Sequence, residues 1–343
     1  MEEIPPFPVF KDRSLEENMK TLSKESGVGR ALDTLMFPII FIIVAIIMNI
    51  VIGGQLLTGS NILIMFINCV PNVFVAWGIS YIWSSGPDFS AAASMVVAAQ
   101  VGGILGEEFN LGYLGLFGGC IACAVGLQVF STFIRLKLNM QPWVIGIAIC
   151  LIYESFGIMY STACAAGGHQ TVTLSAGKFS AVAQMPWILI LLVAGIIFMY
   201  LLHGKTQFGI NYQAVACNEY VAEQMGIKRE KTILIGVAVG AVMIGVASAL
   251  TMSLSSRVAV SANLGSFGSI SKGLCAWLLS SAFDKKINSP IAIFISSLFI
   301  AVIFNFLTRM GIPQGTWLDT VLGAFIAVFL CVAAVAERKE IAE

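Results

Sequence analysis

The sequence predicts an all-α polytopic membrane protein of about ten transmembrane helices, with both termini cytoplasmic. Three observations carry that prediction. Ten apolar stretches run through the 343 residues, most of them close to twenty residues long. Mean hydropathy is +0.89 and charged residues make up only 11% of the chain, too few to clothe a water-soluble surface. The basic residues, finally, crowd into alternate connections. A hydrocarbon core about 30 Å thick needs roughly 20 apolar residues per helix, which the stretches supply.

Taken in order, the predicted spans are 34–53, 62–82, 90–106, 111–134, 142–163, 184–203, 233–252, 270–283, 290–308 and 316–335. An even number of crossings puts the termini on one side. If that side is the cytoplasm, fifteen of the nineteen basic residues lie inside, leaving only Lys178, Arg257, Lys272 and Arg309 outside. This satisfies the positive-inside rule. Residues 1–33 form a cytoplasmic N-terminal segment, 34–336 the membrane domain with a long cytoplasmic loop at 204–232, and 337–343 a cytoplasmic tail. The N-terminus has no basic n-region or small-residue cleavage site, so no signal peptide is expected. Leu15, Met19 and Leu22 recur at helical spacing within 11–30, which fits either an interfacial amphipathic helix or an unstructured leader.

Small residues mark expected helix contacts: Gly115 with Gly119, Gly236 with Gly240, and the trio Gly102, Gly103 and Gly106. Such spacing lets backbones approach in lipid. Cys120 and Cys123 form a C-x-x-C, but it lies mid-span among small residues, so packing is expected there and neither a disulfide nor a metal site.

Polar groups at membrane depth are more informative. Asn68 and Asn72 flank Pro71, which has no amide to donate and should bend or break the second span. Asp88 and Ser90 follow a Ser-Ser-Gly-Pro turn; either suits an N-cap for the third span, and either could line a polar path. Glu154 sits mid-span, where an ionisable side chain faces an aqueous path or serves as a hydrogen-bonded structural carboxyl at a helix contact. His169 and His203 are placed in a loop and at a span end. No paired carboxylates share a helix, so no hydrolytic or metal site is expected. Gly204-Lys205-Thr206 lacks the glycine five residues earlier that a phosphate loop requires; Met199 stands there. In the loop, Asn218–Met225 reads as a short polar helix stopped by Gly226.

Three groups of residues carry a family resemblance. Phe208-Gly209, eight residues, Asn218-Glu219, six residues and Gly226-Ile227 resemble the cytoplasmic loop of bacterial ABC importer permeases of the ribose, xylose and galactose type. Asn61, Asn72, Ala76 and Gly78, followed by Ser85-Gly86-Pro87-Asp88-Phe89-Ser90, resemble that family's second span and the turn after it. Gln141 and Met159-Tyr160 match the fifth span more loosely. The order and spacing agree from about residue 34 to 338.

The resemblance implies a permease subunit that is not itself an enzyme and binds no cofactor. ATP and Mg would sit on a partner ATP-binding cassette subunit. Gly209, Asn218, Glu219, Gly226 and Ile227 would belong to the loop that couples to it. Asn68, Asn72, Asp88, Ser90, Glu154 and Tyr160 are the candidate lining of a path for a small polar solute, a monosaccharide or nucleoside first. An extracytoplasmic solute-binding protein and a second permease subunit would complete the assembly in the bacterial inner membrane, with no nucleic acid involved. The chain departs from the family pattern in three places. Residues 278–286 lack the family's glycines, Ile210 replaces a frequent basic residue, and Glu154 stands where many members carry Arg. The first departure favours a heterodimer with a non-identical permease over a homodimer. Two other classes remain open from the residues: a proton-coupled secondary transporter using Glu154, and a non-transporting membrane scaffold.

Overall fold

The computed structural model describes residues 27–166, 179–281 and 287–311, with isolated helical positions between 317 and 327. Eleven α-helices and no strand occur among the described residues: α1 (Gly27–Val51), α2 (Gly59–Ile82), α3 (Ser90–Glu107), α4 (Gly112–Leu138), α5 (Pro142–Ala166), α6 (Trp187–Lys205), α7 (Gln207–Cys217), α8 (Glu219–Gln224), α9 (Arg229–Ser255), α10 (Gly268–Ser281) and α11 (Ser289–Arg309). Seven of them, α2 to α6, α9 and α11, are long and apolar enough to cross a membrane. The expected amphipathic segment up to residue 26, most of the tenth span, the tail and His169 lie outside the described residues.

The helices alternate between two ends of a bundle. One end carries α7 and α8 and is called the loop end; α9 leaves from it and reaches the far end at Ser255. α2 and α9 form the middle, with Trp77, Ile79, Tyr81, Ile233 and Ile244 almost fully buried between neighbours. On the outside, Ile39, Ile42, Ile43, Ile47 and Ile50 of α1, with Ile190 and Ile197 of α6, stand exposed. Exposed apolar side chains on this scale belong against lipid.

The small residues lie at the contacts their spacing predicts. A Cβ on Gly119 would come 3.0 Å from the Gly102 Cα, and one on Gly240 would come 2.7 Å from the Gly78 carbonyl. α3 therefore packs backbone to backbone on α4, and α9 on α2. Cys120 fills the space above Gly102, a packing role.

Of the bend or break expected at Pro71, the break does not occur. α2 runs without interruption through Pro71. Proline removes a single backbone bond, and buried neighbours tolerate that loss inside a membrane bundle; the Asn72 amide adds a bond of its own to the Asn68 carbonyl, 3.0 Å. The predicted span 270–283 corresponds to α10, Gly268–Ser281, a 14-residue helix about 21 Å long. The chain after α9 folds back into the bundle before α10 begins. Val260 packs where a Cβ on Gly157 would lie, and the Leu264 and Ser266 amides reach Glu154 in the middle of α5.

Candidate translocation site and coupling loop

The polar residues singled out from the sequence fall into three separate places. The first is an open cavity of about 640 Å³ in the far half of the bundle. Its walls include Asn68 and Asn72 from α2, Ser255 from α9, Lys272 from α10, and Phe304 and Asn305 from α11. At 1.5 Å per residue, Asn68 and Asn72 lie roughly 14 and 20 Å along α2 from its far end, so the hollow reaches about mid-membrane. Asn68 and Lys272 are exposed and Asn72 is half-buried. The Lys272 ammonium stands 4.6 Å from the centre of the Phe304 ring, a cation–π distance.

A polar clasp closes one edge of this hollow. The Asn61 amide donates to Asn305 Oδ1 at 2.9 Å and the Asn305 amide returns a bond to Asn61 Oδ1 at 3.2 Å. Arg309 donates to both oxygens, through Nε to Asn305 at 3.1 Å and through Nη2 to Asn61 at 2.8 Å. Asn305 and Arg309 were not singled out from the sequence as site residues. The available signal was an Asn inside the apolar run of α11, four residues before an Arg.

The second place is a closed knot near the loop end. Gln128 donates to Ser90 Oγ at 3.1 Å and to Ser94 Oγ at 2.9 Å; Ser90 Oγ donates to Ser131 Oγ at 3.1 Å, and Ser131 Oγ donates to Asp88 Oδ2 at 3.5 Å. Asp88 Oδ1 also accepts the Ser90 amide at 3.0 Å, so the carboxylate serves the first turn of α3 much as a cap would. Every one of these side chains is buried. Burial pushes the Asp88 carboxyl above the ordinary carboxylate range, opposed by the Ser90 bonds, the nearby Arg135 charge and the Ser131 bond. None of the five residues borders the cavity. Gln128 and Ser131 escaped the sequence reading because their partners lie some forty positions away.

Glu154 is the third. Its side chain is 1% exposed, and its two oxygens accept the Leu264 and Ser266 amides, each at 2.9 Å. Asn263 and Leu264 hold left-handed backbone, φ +60° and +61°, which side-chain-bearing residues rarely adopt. An irregular segment at membrane depth must have its amides satisfied, and Glu154 does this for two of them. The structure thus joins Glu154 to the turn before α10. It does not place Glu154 on the cavity wall, and Tyr160 does not border the cavity either.

At the loop end, each loop residue has an identifiable local job. Thr206 accepts the Gly209 amide at 3.0 Å and starts α7. A Cβ at Gly209 would collide with the Leu202 and His203 carbonyls, so the turn between α6 and α7 admits only glycine. Asn218 Oδ1 caps α8 by accepting the Tyr220 and Val221 amides, both at 3.1 Å. Gly226, at φ +83°, ends α8: its amide bonds the Glu223 carbonyl at 2.9 Å and the Ile227 amide bonds the Ala222 carbonyl at 3.1 Å. This pair of bonds is a Schellman stop. Glu219 pairs with Arg229 at the start of α9, 2.6 Å. Tyr220, Met225, Val221 and Ile210 are left exposed on the loop surface, Tyr220 at 83%.

The loop is also tied to α2. Tyr212 of α7 stacks on Tyr81 with ring centres 4.7 Å apart and donates its hydroxyl to the Tyr81 carbonyl. Gly236 of α9 leaves the room that the Tyr212 ring occupies. The helix that lines the cavity at one end is therefore held by the loop at the other.

A family model described as branched-chain amino acid transport system / permease component matches residues 73–333. No curated protein and no solved structure matches the chain.

Proposed function

Since the chain belongs to the family of branched-chain amino acid and sugar ABC permease components, we propose that it is the membrane-spanning subunit of an ATP-driven importer. It crosses the bacterial inner membrane ten times with both termini cytoplasmic and provides part of the path for a small polar solute, a monosaccharide or nucleoside first. ATP and Mg bind a separate ATP-binding cassette subunit, which docks on α7 and α8 against Tyr220, Val221 and Met225. A solute-binding protein meets the far end, and a second permease subunit lies alongside.

The observation that carries this reading is the stacked and hydrogen-bonded Tyr212–Tyr81 contact. Through it, a push on the loop reaches α2, whose other half holds Asn68 and Asn72 in the cavity. Alternating access needs such a lever at one end and a solute-accessible hollow at the other. Co-purification tests the reading: an ATPase with nucleotide-binding domains should accompany the tagged chain. An intact chain that purifies without any ATPase contradicts it.

The heterodimer rests on residues 278–286, where the family's glycines are missing. Residues 278–281 form the last turn of α10, and 282–286 lie outside the described residues. Native mass spectrometry should find a second, non-identical permease beside one 36.7 kDa chain; two identical chains would overturn the heterodimer alone. The competing proton-coupled reading needs Glu154 to exchange protons with a path. Its position away from the cavity, with both oxygens engaged by amides, supports a holding role instead. Collapse of uptake by an uncoupler while ATP is maintained would reverse that judgement.

A further inference from the structure

We propose that the ring pair Phe89–Phe267 is the inner gate of the solute path, and that a smaller hollow beside it continues the far-end cavity toward the loop end. This rests on the importer reading above and names the residues that close its path.

The smaller hollow measures about 220 Å³, and Phe89, Ala92, Cys150, Leu264 and Phe267 line it. Two elements carry its wall directly into the wall of the far-end cavity. On α3, Ala92 borders the smaller hollow and Met95 the larger, about 4.5 Å apart along the helix axis. At the start of α10, Phe267 borders the smaller hollow while the next two residues, Gly268 and Ser269, border the larger. Because α3 starts at the loop end, the smaller hollow lies on the loop side of the larger one. The half-buried Phe267 ring stands where the two meet, 5.8 Å from the centre of the Phe89 ring. These five side chains give a polar solute almost nothing to bond: four are hydrocarbon and the fifth is a thiol, a weak donor. A solute passing among them must shed hydrogen bonds that they do not replace. Hydrophobic constrictions also exclude water without having to be filled.

Both rings are tied to elements that the loop reaches. Phe89 packs edge-on against Trp83, ring centres 5.6 Å apart, and Trp83 meets Trp277 of α10 at 6.1 Å. Trp83 also donates its indole N–H to the Asp88 carbonyl at 2.9 Å. It lies two residues beyond Tyr81, on which Tyr212 of the loop stacks. A displacement of the loop therefore passes through Tyr212, Tyr81 and Trp83 to Phe89. On the other side, Glu154 holds the Leu264 and Ser266 amides and so fixes the backbone from which the Phe267 ring projects. Glu154 is a positioning residue here, acting through Phe267 and not on the solute.

The native Cys150 thiol, on the wall of the smaller hollow and almost fully buried, reports on the gate. The probe is an anionic methanethiosulfonate, which does not enter lipid, applied to the purified protein in nanodiscs; peptide mass spectrometry assigns the adduct to each cysteine. Phe267→Ala should label Cys150 about tenfold faster than the parent, a barrier lower by about 1.4 kcal/mol. Phe89→Ala should act in the same direction, and Phe267→Tyr should stay slow. Cys69 and Cys120, buried outside this lining, should keep their parent rates. Adding Ser269→Trp to Phe267→Ala fills the far-end cavity beside the gate and should return Cys150 to the slow rate. Unchanged labelling of Cys150 in both alanine variants overturns the proposal. So does fast labelling that ignores Ser269→Trp, because the reagent then enters by another route. An equal rise at Cys69 and Cys120 overturns it too, because the rings then hold the bundle together and do not close a path. The measurement uses no ATP, so a chain that purifies without an ATPase would defeat the importer reading and leave the gate result to stand or fall by itself.

Discussion

The cavity and the Asp88 knot are both polar and both set within an apolar bundle, yet their hydrogen bonds are arranged in opposite ways. In the knot, donors run in series from Gln128 through Ser90 and Ser131 to the Asp88 carboxylate, and the side chains are sealed from solvent. In the cavity, Asn68 stands exposed in an open hollow, and the Asn72 side-chain amide donates to a carbonyl of its own helix. Polar residues that satisfy one another hold helices together. Those that border space are available to a solute. A residue's polarity at membrane depth does not say which of the two it is; its partners do.

That contrast breaks most visibly at Asp88. Asp88→Ala removes the acceptor at the end of the series and the cap of α3, and stranding those buried donors should cost about 1–3 kcal/mol. The melting temperature should fall clearly, with transport falling alongside it. An unchanged melting temperature would mean the knot does not hold α3 to α4.

Glu154→Gln should come next. One oxygen remains to accept an amide, while the other becomes a second donor facing one. Thiol accessibility at Ser269→Cys should change as the turn before α10 loosens, with a smaller loss of thermal stability than for Asp88→Ala. Accessibility identical to that of the parent would show that Glu154 does not set the rim.

Asn72→Leu should produce the reverse signature: a clear loss of uptake with little change in melting, because the bond it loses is local to α2. Wild-type uptake would remove Asn72 from the path. Within the knot, a smaller stability effect than that of Asp88→Ala is expected for Gln128→Leu. The buried Gln128 Oε1 has no hydrogen-bond partner among the described residues, so removing the amide loses two bonds to serines but also relieves one unsatisfied oxygen. A drop in melting temperature larger than that of Asp88→Ala would invert the order of importance within the knot.

The parts legible in the sequence were those governed by local rules. Run length and composition anticipated the helical bundle. Small-residue spacing marked the contacting faces of α3, α4 and α9, though not which helix meets which. The Asn218 start and Gly226 stop of α8 were readable because capping acts over a few residues. What could not be read depends on distant pairing. Nothing near Asp88 in sequence points to Ser131, nothing near Glu154 points to Leu264, and Asn61 and Asn305 meet from opposite ends of the chain. At Pro71 local chemistry says bend or break, and packing on both sides of α2 carries the helix through without a break. Tyr212 sat unnoticed in a polar loop although it joins that loop to the bundle.

The central claim is that the α7–α8 loop drives the cavity through α2. Gly226→Pro tests the loop directly, because proline cannot adopt φ +83° or donate the amide that now bonds Glu223. Glu219→Lys tests it again by setting like charge against Arg229. Solute moved per ATP hydrolysed, measured in vesicles holding the full complex, should fall about tenfold or more for both variants while the protein stays inserted, a loss equivalent to about 1.4 kcal/mol or more of coupling. A wild-type ratio of transport to hydrolysis in both variants would contradict the account.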